Sequence, residues 1–190
     1  MKNYLYKDTF AVIGKVGEGS ANHPQEWVVP LWNEANGNFN EIADIILKDE
    51  AGNPAGVWGA MNDVNERNKR WDEKGKYLAG CEVDINILPP SGWTKWIIPA
   101  QTYLVVECTS DTYVKVFETI ESNPKIKIIS TVHERYPEPG NPNKLEVYFP
   151  VADGHLFCQS CYMPMVKPED FGTEKDGNSS LDYCCHCYED

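Results

Sequence analysis

The stretch Lys144-Leu-Glu-Val-Tyr-Phe-Pro-Val151 decides how the chain is read. As a β-strand, its side chains alternate between two faces. Leu145, Val147 and Phe149 fall on one face and read as core, while Glu146 and Tyr148 fall on the other. An acid beside a phenol on an apolar strand fits either a solvated sheet face or the floor of a pocket. The stretch is also a border. Mixed helical and strand-like sequence precedes it and a cysteine-rich tail follows, which divides the chain into residues 1–153 and 154–190.

Upstream of this strand, Ile126 to Arg135 reads as its neighbour, joined to it by the loop Pro137 to Pro142. Before that, Tyr113, Val116, Phe117 and Ile120 are spaced i, i+3, i+4, i+7, the mark of an amphipathic helix. Ser110 or Asp111 is placed to cap it and Pro124 to stop it. Trp93 to Cys108 reads as one long strand bent at Pro99. Ala55–Asn62 and Lys76–Ile87 read as two further strands, Thr9–Val16 as the first, and Gln25–Ile46 as helical sequence interrupted by Pro30. The order is β-α-β-β twice. It predicts an α+β fold in which two duplicated units form an antiparallel sheet with helices on one face, leaving the opposite face free for a ligand.

The totals restrict function. The 190 residues carry a formal net charge of −12, with 42% hydrophobic and 24% charged residues. A chain that neutralises phosphates needs the opposite sign, so nucleic acid is not expected as a partner. The N-terminus has no apolar run of signal-peptide length, and no stretch reaches transmembrane length, so the chain reads as soluble and cytoplasmic, without a membrane partner.

Five of the seven cysteines (Cys158, Cys161, Cys184, Cys185 and Cys187) fall within the last 33 residues. Cys158-x-x-Cys161 and Cys184-x-x-Cys187 form two knuckles separated by 22 residues. Four thiolates at this spacing suit a closed, tetrahedral, structural Zn²⁺ site, with no position left open for catalysis. Cys185 and His186 are alternative ligands, and a redox cysteine pair is the competing reading. From Cys158 onward seven acids face two lysines, a net of −5, which suits a protein-contact or stabilising module better than a DNA-binding one. Cys81 and Cys108, alone in apolar sequence, read as small buried hydrophobes. His23, His133 and His155 read as surface or structural residues.

Four short motifs then bear on function: Tyr77-Leu-Ala-Gly80 followed by Cys-Glu-Val83, Ile98-Pro-Ala-Gln-Thr-Tyr103, Glu134-Arg-Tyr136, and Glu146-Val-Tyr-Phe-Pro150. In this order over roughly 150 residues they resemble the GyrI-like effector-binding domain family, which includes the drug-binding domains of AraC-type activators. The tail from Cys158-Gln-Ser-Cys-Tyr-Met-Pro-Met165 through Cys184-Cys-His-Cys-Tyr188 resembles the zinc ribbon appended to such proteins, with Tyr162 where glycine is common. The resemblance implies a stand-alone binder of amphipathic, often cationic, aromatic compounds. Glu146 would supply charge, and Trp58, Trp93, Trp96, Tyr103 and Tyr148 would supply stacking. Glu82 and Glu107, acids within apolar strands, are further ligand-binding candidates. The resemblance also implies two alternatives. One is a cofactor-free hydrolase of cyclopropane-bearing toxins, with Glu146, Tyr103 and Tyr148 as catalytic candidates. The other is a protein-interaction module of the gyrase-inhibitor type.

Overall fold

A computed structural model describes residues 2–124, 126–138, 141, 143–152, 156–158, 160–161, 163–165, 168–175 and 177–188. His155 and Tyr162, singled out in the sequence, lie outside them.

Eight strands form one sheet: β1 (Lys2–Lys7), β2 (Phe10–Ser20), β3 (Val57–Asn62), β4 (Lys74–Val83), β5 (Thr94–Ile98), β6 (Gln101–Cys108), β7 (His133–Arg135) and β8 (Leu145–Pro150). Their spatial order is β1-β6-β8-β7-β3-β4-β2-β5, and each pairing is antiparallel. Helix α1 (Gln25–Asn38) follows β2, and α2 (Tyr113–Glu121) follows β6. The repeated unit is therefore β-β-α-β-β. The halves meet at the β3–β7 ladder, and each lends its first strand to the other: β1 pairs with β6 and β5 with β2.

The sequence reading needs correction at several points. The N-terminal residues form β1, where Tyr4 is buried while Leu5 and Tyr6 are exposed. Trp93–Cys108 is two strands, not one. Pro99 and Ala100 form a corner, held by Ala100 N–H donating to Thr9 Oγ1 at 3.1 Å, beyond which β5 and β6 join opposite ends of the sheet. The corner brings both ends together and curls the sheet. Gly14 and Gly80, paired in β2 and β4, allow the curl, because a Cβ on Gly14 would lie 2.4 Å from the Ala79 carbonyl oxygen. Strand β4 ends at Val83, and only His133–Arg135 of the expected 126–135 strand is extended in the sheet.

Helix α1 ends at Asn38. It contains Pro30, whose neighbour Val29 is also exposed, so the missing N–H falls on the outer side. Its buried residues Leu31 and Ala35 pack with Tyr77 and Ala79. Phe39, Ile42, Ile45 and Ile46 leave the helix and pack with Val57, Cys81 and Trp93. Helix α2 has Thr112 at its N-cap with no side-chain capping bond. Ile120 of α2 is buried, with Tyr113, Val116 and Phe117 packed against Leu104, Val147 and Phe149.

Cross-strand register places both helices on one face. Ala79 lies opposite Gly59, Gly59 opposite Glu134, Glu134 opposite Val147, and Val147 opposite Val106. Directly paired residues project to the same side. Each helix covers its own half, and the β3–β7 seam lies between them.

The tail forms two small ladders, β9 (Leu156–Phe157) with β10 (Pro164–Met165), and β11 (Phe171–Thr173) with β12 (Ser179–Cys184). Among the described residues, no helix is long and apolar enough to cross a membrane.

Candidate functional site

The seam between the helices opens into a cavity of about 520 Å³. Met61, Tyr77, Glu134, Tyr136 and Leu145 line its floor. Pro24, Gln25, Val28 and Val29 contribute from α1 and its approach, and Tyr113, Val114 and Phe117 from α2. Arg70 and Trp71 enter from the β3–β4 loop. Arg70 is ion-paired to Glu121 at the end of α2, which ties that loop across to the second half.

Glu134 is the buried acid of this cavity. Its Oε2 accepts from Tyr77 OH at 2.6 Å and from Tyr136 OH at 2.7 Å. Trp32 Nε1 donates in turn to Tyr77 OH at 3.0 Å, and its ring meets Tyr136 edge-on, with centroids 4.9 Å apart. Burial pushes the Tyr77, Tyr113 and Tyr136 phenols far above their ordinary range, and the Glu134 charge pushes them further. They therefore remain protonated donors around the carboxylate. Gly59, directly opposite Glu134, makes room for this arrangement. A Cβ there would lie 1.8 Å from Tyr77 OH and 3.0 Å from Glu134 Oε2.

The residues singled out in the sequence lie elsewhere. Glu146, Tyr148, Tyr103, Trp58, Trp96, Glu82 and Glu107 share the helix-free face by register. The curl folds that face onto itself and fills it. Trp58, Trp96, Tyr103 and Tyr148 are buried in one cluster, with Trp58 and Tyr148 rings 4.9 Å apart and Tyr103 and Tyr148 rings 5.4 Å apart. Two of its acids, Glu146 and Glu82, already hold cations of the chain itself. Glu146 Oε2 accepts from Arg135 Nη1 at 2.9 Å and from Tyr148 OH at 3.1 Å. Glu82 accepts from Lys7 Nζ and Trp58 Nε1, both at 3.0 Å, and the Lys7 ammonium sits 4.3 Å from the Phe10 ring centroid. Glu107, opposite Glu146, is exposed and lines with it a smaller cleft of about 330 Å³ that includes Glu138 and Lys144. Trp93 is separate from this group, packed with Phe39 and donating to Glu41 Oε2 at 2.8 Å.

His133 lies on the filled face. Burial pushes its pKa down to about 3, so the ring is neutral, and its Nδ1 accepts from Met61 N–H at 3.3 Å. His23 is exposed. Cys81 is buried, and burial raises its thiol to about 12.

Glu134 was within reach of the sequence as an acid two residues before a tyrosine. Glu146-Val-Tyr148 shares that spacing, however, and only the pairing of β3 with β7 tells the two faces apart.

In the tail, the sulfurs of Cys158, Cys161, Cys184 and Cys187 all lie within 4.8 Å of one another. Cys161 and Cys184 are 3.7 Å apart. A tetrahedral thiolate site with metal–sulfur bonds near 2.3 Å requires sulfur separations of about 3.8 Å, so the donor set fits a metal. Cys185 and His186 are exposed and outside the cluster.

Residues 5–156 match the family described as "Integron-associated effector binding protein". The chain belongs to that family. Residues 157–190 match the family described as "Putative zinc ribbon domain". Among solved structures, SAV2435 bound to tetraphenylphosphonium is similar at 16% identity and TM-score 0.61, covering 80% of this chain and 94% of that one. The integron cassette protein of Vibrio cholerae is similar at 16% identity and TM-score 0.52, with 80% and 95% covered. EcmrR, solved in a complex with DNA, is similar at 16% identity and TM-score 0.50, with 80% and 57% covered. At these identities the likeness shows the effector-binding fold alone. No curated protein matches the chain.

Proposed function

We propose that the chain is a receptor for amphipathic aromatic cations, bound in the seam cavity with Glu134 as the counter-charge. The observation that carries this reading is a buried carboxylate on the floor of an aromatic cavity of about 520 Å³. That size falls within the range of small-molecule sites, about 300–1,000 Å³. Aromatic faces attract organic cations, and a desolvated carboxylate adds charge complementarity. Tyr77 and Tyr136 hold Glu134 in place by donating to one of its oxygens. The tetraphenylphosphonium on the similar SAV2435 fold supports this class of ligand. Glu146, the anchor expected from sequence, is the comparator, because Arg135 already neutralises it.

The test is titration of tetraphenylphosphonium and a neutral triaryl analogue against wild type, Glu134→Gln and Glu146→Gln. Glu134→Gln should weaken the cation by roughly 1.5–3 kcal/mol, the scale of a charge-assisted contact, and leave the neutral analogue unchanged. Glu146→Gln should leave both within about twofold, well under the tenfold that 1.4 kcal/mol represents. The opposite ranking would return the anchor to Glu146. Mass spectrometry of the recovered compound should find it intact, whereas a hydrolysed product from a cyclopropane-bearing compound would favour the enzyme reading.

For the tail we propose structural Zn²⁺ on Cys158, Cys161, Cys184 and Cys187. Four thiolates match the soft, tetrahedral preference of zinc.

A further inference from the structure

The ribbon and the cavity wall share one core. Within the ribbon, Phe171 lies opposite Cys184 across the β11–β12 ladder. Its ring stacks on Tyr4 of β1, with centroids 4.7 Å apart and planes 4° apart. Tyr4 lies opposite Leu104 of β6, and Leu104 lies opposite Phe149 of β8. Phe149 meets Phe117 of α2 edge-on, with centroids 5.0 Å apart. Phe117 lines the cavity. Cys158, Met165 and Cys184 are buried in this same cluster, so the row of contacts runs without a break from metal ligand to ligand wall.

Two physical facts make this row responsive. A ribbon of about 34 residues buries too little surface to fold alone, so its metal-binding energy is its folding energy. Helix α2 has only nine residues and no side-chain cap. Helices this short are held by packing rather than by propensity, and α2 packs on the shared cluster. Helix α1 rests on a different cluster, built from Leu31, Ala35, Tyr77 and Ala79, so its packing does not pass through the ribbon.

We propose that metal occupancy of the four-cysteine site positions α2, making the ribbon a metal-dependent clamp on the cavity. Loss of the metal releases Phe171 from Tyr4. That uncovers an end strand of the sheet and loosens the surface on which Phe117 sits. The clamp depends on the cavity reading only in its ligand arm.

The experiment compares the metal-loaded full chain, the same chain after chelation, and Phe171→Ala, which keeps all four thiols. Amide hydrogen exchange is followed in residues 113–121 and, as a control, in 74–83. Tetraphenylphosphonium affinity is measured in parallel. Chelation and Phe171→Ala should both speed exchange in 113–121, leave 74–83 unchanged, and weaken binding at least about fivefold, the lower end of usual coupling between sites. Unchanged exchange in 113–121 after chelation, or equal acceleration in both segments, would overturn the clamp. So would wild-type exchange in metal-loaded Phe171→Ala, an arm that stands even if the metal-free chain does not stay folded. If the loaded chain binds no tetraphenylphosphonium while 113–121 still responds to metal, the cavity reading fails and the clamp holds.

Discussion

Gly59 and Glu134 face each other directly across the β3–β7 ladder, where the two halves of the sheet meet. The absence of a side chain on one is the condition for the hydrogen bonds of the other, because Tyr77 OH occupies the space above Gly59. Gly59→Ala should drive the phenol off the carboxylate. Overpacking of this kind costs about 1–3 kcal/mol, and the displaced phenol adds to it. Urea unfolding should report the stability loss, and cation affinity should fall with it. An alanine variant as stable as wild type and equal in binding would mean that Tyr77 reorients at no cost and does not position Glu134.

Arg135 separates two glutamates that look alike in sequence. It lies between Glu134 and Tyr136 in the chain but projects to the opposite face, where it holds Glu146 at 2.9 Å and the Ala55 carbonyl at 3.0 Å. Arg135→Leu should leave the half-buried Glu146 carboxylate without its cation and destabilise the fold by about 1–3 kcal/mol. Cation affinity in the seam cavity should stay within about twofold, because a stability loss on the far face need not reach the ligand. Selective gain of cation binding in this variant would instead mark Glu146 as an anchor masked by Arg135.

Much of the fold was legible because periodicity records it. The Tyr113–Ile120 spacing gave α2, Lys144–Val151 gave β8, and the cysteine frame gave the ribbon. The candidate site was less legible for a geometric reason. Glu134-Arg-Tyr136 and Glu146-Val-Tyr148 have the same local pattern, and a strand carries both of its faces equally in sequence. Which face remains open is set by the corner at Pro99, which curls the sheet and packs Trp58, Tyr103 and Tyr148 together. That corner depends on pairings between residues some ninety positions apart, such as Phe10 with Ile98, and no local window contains them. Tyr4 was missed in the same way, since its burial comes from Leu104 and from the ribbon's Phe171.

His133 should make stability fall with acidity. Its folded pKa is lowered to about 3 by burial, against about 6.5 for an unfolded histidine. Between those values the unfolded chain binds a proton that the folded chain does not. The contribution is therefore complete above about pH 6.5 and is lost as pH falls toward 3, at up to about 1.4 kcal/mol per pH unit. His133→Gln keeps an acceptor for the Met61 amide and removes the titration. Urea unfolding between pH 7 and 5 should give a shallower loss for the variant than for wild type. Parallel curves would mean that His133 takes up its proton without unfolding.

Thiol chemistry separates the cysteines by their surroundings. Cys185 is exposed and outside the sulfur cluster, while Cys184 is buried within it. Cys185→Ser should retain about one metal per chain, as a single closed four-thiolate site holds, and Cys184→Ser should lose it. Elemental analysis of freshly purified protein reads both. In the native, metal-loaded chain Cys185 should be the thiol that reacts rapidly, because burial raises Cys81 to about 12, and burial with the Glu134 charge raises Cys108 to about 11. The thiolate is the reactive form, and these two thiols supply little of it. Chelation should then expose the four ligand cysteines to the same reagent. Full denaturation under chelation should account for all seven cysteines of the chain. A count lower by two would favour an oxidised pair over a metal site. Several fast thiols in the freshly purified native protein would mean that the four sulfurs hold no metal, and the ribbon would need another source of its fold.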